Sequence, residues 1–114
     1  MKTQPTATRS FADPDRSWTF LDGSKRAAVI LNSVAIGQGE YLPGWRWSQH
    51  VGPQTGKTSE AHIGLILSGK MGVRDSEGRE LTLGPGDAFE VGPSSDAWVI
   101  GDETCVALDF EALH

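Results

Sequence analysis

The sequence predicts a single all-β domain, a sandwich or barrel, on three observations. Fourteen glycines and six prolines are scattered through 114 residues. That is well above the ordinary glycine share of about 7%, and without a collagen-like period it is the punctuation of tight turns. Short apolar runs rich in β-branched residues recur at a spacing of about 8–12 residues, as strands of a sandwich or barrel do. No segment holds apolar residues at helical spacing over three turns without a Gly or Pro intervening, so helices find no support.

Each element follows in chain order. Residues 1–15 are polar, carry two prolines and show no periodicity; they read as a flexible arm with Phe11 as an anchor, ahead of a barrel domain over residues 16–114. Residues 17–21 form a short strand that ends at Asp22-Gly23, a turn dipeptide. Residues 26–36 are the best helix candidate, yet Val29, Ile30, Val34 and Ile36 are β-branched and favour one strand, over 26–35. After Gly37 and Gly39 a strand is expected over residues 40–51. Its alternation places Arg46, Ser48 and His50 on a polar face and Trp45, Trp47 and Gln49 on the other. Residues 61–68 form a strand closed by Gly69, with His62, Gly64 and Ile66 on one face. Residues 71–74 and 80–83 flank Ser76-Glu77-Gly78 as a hairpin, and strands over 88–91, 97–100 and 105–110 complete the set.

Charge and composition exclude several function classes. Fifteen acidic against ten basic residues give −5, the wrong sign for a nucleic-acid partner. The lone Cys105 rules out an intrachain disulfide or a Cys-only metal site and reads as a small core residue. No apolar run approaches the roughly 20 residues of a membrane span, and residues 1–10 lack the apolar stretch of a signal peptide, so a cytoplasmic protein is expected. Gly84-Pro85-Gly86-Asp87 is a turn and not a phosphate loop, since neither Lys nor a helix start follows.

Chemistry rests on few residues. His50 and His62 are the imidazoles on strands, suited to metal ligation or acid–base work near neutral pH, although a lone His is more often an ordinary hydrogen-bonded residue. Arg46, if it points inward beside His50, can grip an anion; on a solvated face it does nothing. Asp96 and Asp102 bracket a strand, where bonding backbone amides is their simplest task. Trp18, Trp45, Trp47 and Trp98 are many for so short a chain and suit core packing or a cavity wall.

These motifs, in this order, resemble the cupins, and the small single-domain bacterial cupins in particular. Gly44 with His50 six residues on resembles the opening of the first cupin motif. His62 and Gly69 resemble its close, where Glu and Gly are usual, and the run from Leu83 through Pro85-Gly86-Asp87 to Val91 resembles the second motif. The resemblance spans residues 42–110 and implies a jelly-roll (double-stranded β-helix) barrel. It also implies a divalent metal such as Zn, Fe, Mn or Ni, held by two His and a Glu of the first motif and a His of the second. Here Gly52 replaces the second His, His62 stands for the Glu, and Ser95 or Ala97 stands where the last His belongs. His50 and His62 are then expected within about 4–5 Å of each other, holding an ion weakly, with Glu60 or water completing the shell. Three functions stay open. One is a module that binds a small organic ligand through Arg46, Trp47, Ser48, His50, His62, Ser95 and Trp98. Another is an enzyme, metal-dependent or not, with His50, His62 and Arg46 as catalytic candidates. The third is a dimerising unit. A homodimer is expected in each case, because the run over residues 26–36 holds more apolar side chains than one face can bury.

Overall fold

The computed structural model describes residues 6–113, so residues 1–5 of the expected arm lie outside the described residues, as does His114. Nine strands dominate: β1 (Arg16–Thr19), β2 (Lys25–Ile30), β3 (Val34–Tyr41), β4 (His62–Ser68), β5 (Lys70–Arg74), β6 (Glu80–Leu83), β7 (Ala88–Val91), β8 (Asp96–Ile100) and β9 (Cys105–Ala112). They form a six-stranded sheet of order β1-β2-β3-β9-β4-β7 and a three-stranded sheet of order β6-β5-β8, antiparallel throughout. Two one-turn helices, α1 (Trp47–His50) and α2 (Gly52–Thr55), lie between β3 and β4. No helix among the described residues is long and apolar enough to cross a membrane.

Two sequence expectations are corrected. The single strand over 26–35 is a hairpin: β2 stops at Ile30, and the Leu31 N–H donates to the Val34 carbonyl at 2.9 Å across Asn32-Ser33. Asn and Ser favour turns through local side-chain bonding, and the β-branched residues on either side masked that break. The strand expected over 40–51 ends at Tyr41, and residues 47–55 are helical instead. Pro43 presets the first corner of a turn and Gly44, at φ 88°, takes the second, while the Trp45 N–H donates back to the Leu42 carbonyl at 3.0 Å. The polar and aromatic faces expected for residues 45–50 therefore do not form.

The core lies between the sheets. Ile66, Cys105 and Ala107 from the large sheet meet Met71, Val73, Leu83 and Val99 from the small one, and Trp45 and Val51 join the same cluster. Period-two alternation carries this inner face along the large sheet. Arg26 and Ala28 on β2, Gly37, Gly39 and Tyr41 on β3, Ala107 and Asp109 on β9, and Gly64 and Ile66 on β4 all share it, as the pairings Ala28↔Gly37, Gly37↔Asp109 and Gly64↔Asp109 require.

Candidate functional site

Between the sheets is a cavity of about 420 Å³. Its wall is aromatic: Trp18, Phe20, Tyr41, Trp45, Trp47 and Phe89 line it together with Met71, Val73 and Val91. The turn at Pro43-Gly44 brings Trp45 into this wall, where its ring centroid lies 4.4 Å from that of Tyr41. The first turn of α1 adds Trp47.

On the floor of the large sheet sits an ion pair that sequence reasoning missed. Arg26 donates from Nε to Asp109 Oδ2 at 3.0 Å and from Nη2 to Oδ1 at 2.6 Å, a side-on fork that spans β3 from β2 to β9. Glycine makes this possible. A Cβ at Gly37 would meet the Asp109 carboxylate at 2.6 Å, and one at Gly39 would strike the Tyr41 ring, so a larger residue at either position displaces the pair or the phenol. Trp18 covers one guanidinium face, with Arg26 Cζ 4.8 Å from its ring centroid. Burial works against the Arg26 charge, but Asp109 outweighs it and raises the guanidinium above its ordinary value. Burial and then the Asp109 charge push the Tyr41 phenol far upward, so it stays protonated. The only sequence signal for this cluster was the pair of glycines on β3, which marked a close approach without naming what approaches.

Of the residues named from sequence, Trp18, Trp45, Trp47, Glu60, His62, Ser95, Asp96 and Ala97 line the cavity. His62 is exposed at its rim, with its ring edge-on to Phe89 at 6.0 Å and its Nδ1 3.0 Å from the Glu60 carbonyl oxygen. The segment around Glu60 is pinned. The Ser59 hydroxyl donates to the Ser95 carbonyl at 2.7 Å and accepts from the Ser95 N–H at 2.8 Å. Arg46, Ser48, His50 and Trp98 are not among the lining residues. Trp98 shares a face with Gly72 and not with inward Met71 and Val73, as the Gly72↔Trp98 pairing requires, and the Arg46 guanidinium stacks on it at 4.7 Å. Arg46 Nε donates to Asp96 Oδ2 at 2.8 Å; the Ser48 N–H and hydroxyl donate to the same carboxylate at 3.0 and 2.9 Å. Asp96 therefore serves as a cap for α1 rather than as an acid or base. Burial opposes its ionisation, but the Ser48 donors and Arg46 outweigh that and hold its carboxyl below the usual range. His50 Nδ1 accepts the Arg46 N–H at 2.9 Å.

The donor set does not fit a metal ion. No group of three or more His, Cys, Asp or Glu among the described residues is placed to share one. Helix α1 carries His50 out of the cavity wall and commits its Nδ1 to a backbone amide, while Ser95 and Ala97 offer no imidazole. A catalytic zinc or iron site needs about three protein ligands, and His62 is left without the imidazole partner expected for it.

No protein-family model matches the sequence, and no curated protein does. Solved structures match well. The cupin domain of Cnp3 from Schizosaccharomyces pombe superposes with a TM-score of 0.62 at 19% identity, over 80% of this chain and 61% of that one. The fold is a cupin jelly roll. A sugar phosphate isomerase of the cupin superfamily from Silicibacter pomeroyi gives 0.61 at 13% identity, over 82% of this chain and 62% of its own. The polyketide cyclase RemF from Streptomyces resistomycificus gives 0.64 at 17%, over 96% and 81%. The chain thus spans less than two thirds of the first two. At such identities the likeness concerns the cupin fold, and the chemistry has to be argued from the cavity.

Proposed function

We propose that this cupin barrel binds a small, flat, largely apolar organic molecule without a metal ion. The observation that carries the reading is the aromatic cavity, whose volume of about 420 Å³ falls within the range of about 300–1,000 Å³ typical of small-molecule sites. Aromatic walls favour a ring-bearing ligand by offset or edge-on stacking. The Trp45 indole N–H supports the same reading: it is buried with no acceptor among the described residues, and such orphaned donors are rare unless a bound molecule or water completes them. The named neighbours include an isomerase and a cyclase, and one observation favours an enzyme as the second reading. His62 stands at the cavity rim, where an imidazole can exchange a proton with a bound substrate.

The test is elemental analysis of untagged protein combined with fluorescence titration by naphthalene-ring probes. The expected result is substoichiometric metal and saturable quenching of the tryptophans. Stoichiometric zinc, iron, manganese or nickel, or probes that leave the emission unchanged, would overturn the proposal.

A further inference from the structure

We infer that Arg26, held by Asp109, is the polar anchor of the cavity and selects ligands that present a neutral oxygen acceptor, such as a ring ketone, over both hydrocarbons and carboxylates. The inference rests on the ligand-binding reading above and specifies the chemistry of that ligand.

The argument begins with how a guanidinium divides its donors. Arg has five N–H groups in a rigid plane. Asp109 takes the side-on edge, Nε and one hydrogen of Nη2, in a bidentate fork. The end-on edge, formed by Nη1 and the second hydrogen of Nη2, has no acceptor among the described residues. Trp18 lies against the guanidinium, with Arg26 Cζ over its ring. Arg26 lines the cavity with its side chain 27% exposed, so the cavity holds charge-assisted donors beside its aromatic residues. A hydrocarbon filling this space would strip water from that edge and return no hydrogen bond, which is costly for a charged donor. An acceptor oxygen at the same place recovers the bond.

Charge decides which acceptor. Asp109 at 2.6 Å already balances Arg26, and Glu111 adds a further negative field at the guanidinium. A ligand carboxylate would bring a second anion to a cation that is already neutralised. A ketone or amide oxygen uses the same donors without that repulsion. The pair is also preorganised: β2 and β9 hold its two halves on either side of Gly37, so the edge is fixed before a ligand arrives.

The experiment uses the full chain and three probes of one shape: 2-acetylnaphthalene, 2-ethylnaphthalene and 2-naphthoate, each titrated by tryptophan fluorescence. Wild type should bind the ketone about tenfold more tightly than the ethyl compound, the size of one hydrogen bond to a charged donor, and more tightly than the carboxylate. Arg26→Lys keeps the ion pair but loses the planar end-on edge. It should cut the ketone preference over the ethyl compound to within about twofold. Arg26→Met/Asp109→Leu removes both charges together, avoids a lone buried ion, and should do the same. A structural role for the pair would alter stability without altering the ratio between probes. Equal binding of ketone and hydrocarbon by wild type, a preference that survives in both variants, or tightest binding of the carboxylate overturns the inference while leaving the ligand cavity standing. Failure of all three probes to bind wild type overturns the cavity reading and this inference with it.

Discussion

Asp96 shows how one side chain settles a local structure. Its carboxylate accepts from Arg46, from the Ser48 amide and hydroxyl, and from the Ala97 N–H at 2.9 Å, so it ties the segment after β3 to the start of β8. Its side chain is only 22% exposed, and hydrogen bonds to a charged group are each worth about 1.5–3 kcal/mol. Asp96→Ala is therefore expected to cost about 2 kcal/mol in urea unfolding at neutral pH, a conservative total because Arg46 and Ser48 regain water. The pH dependence has a definite sign. The folded carboxyl titrates below its ordinary value, so the unfolded chain binds more protons as the pH drops. The stabilisation is complete above the unfolded pKa of about 3.9 and is lost as pH falls through the folded value. The gap between wild type and Asp96→Ala should narrow below about pH 4; a gap that stays constant to lower pH would show that the charge contributes nothing.

At the scale of elements, strands were legible where turn residues stood at both ends. The runs over 80–83 and 88–91 match β6 and β7, bounded by Ser76-Glu77-Gly78, Gly84-Pro85-Gly86 and Gly92-Pro93. The cupin jelly roll was legible for the same reason, through its glycine turns and motif order. The helical segment over 47–55 was not, because period-two alternation in Trp45 to His50 is also compatible with a single helical turn. What decides between them is Asp96, which caps the Ser48 amide from 48 residues away and leaves no local trace. Once α1 forms, Trp47 joins the cavity while Ser48 and His50 do not. The Arg26–Asp109 pair was equally hidden, since 83 residues separate its halves. Only the β2-β3-β9 register brings them together, and register follows from pairing rather than from composition.

For the molecule as a whole, the two faces of the large sheet have different tasks. The inner face holds the cavity. On the outer face Ile36, Phe110 and Ile63 stand in one register row across β3, β9 and β4, with Ile63 50% and Leu67 44% exposed. We propose that a second copy of the chain covers this row, since exposed apolar surface of this kind marks association sites. Light scattering should then give twice 12.2 kDa, and Ile63→Glu should shift the protein to the monomer; a wild-type monomer at micromolar concentration would contradict it. The cavity itself is the central claim, and the four tryptophans report on it separately. Trp18, Trp45 and Trp47 line it, while Trp98 lies outside the lining beneath Arg46. The most direct measurement is the set of indole N–H resonances in a proton–nitrogen correlation spectrum during titration with 2-acetylnaphthalene. Saturable shifts of Trp18, Trp45 and Trp47 with Trp98 stationary are the expected result. Stationary cavity indoles, or a shift confined to Trp98, would contradict the account.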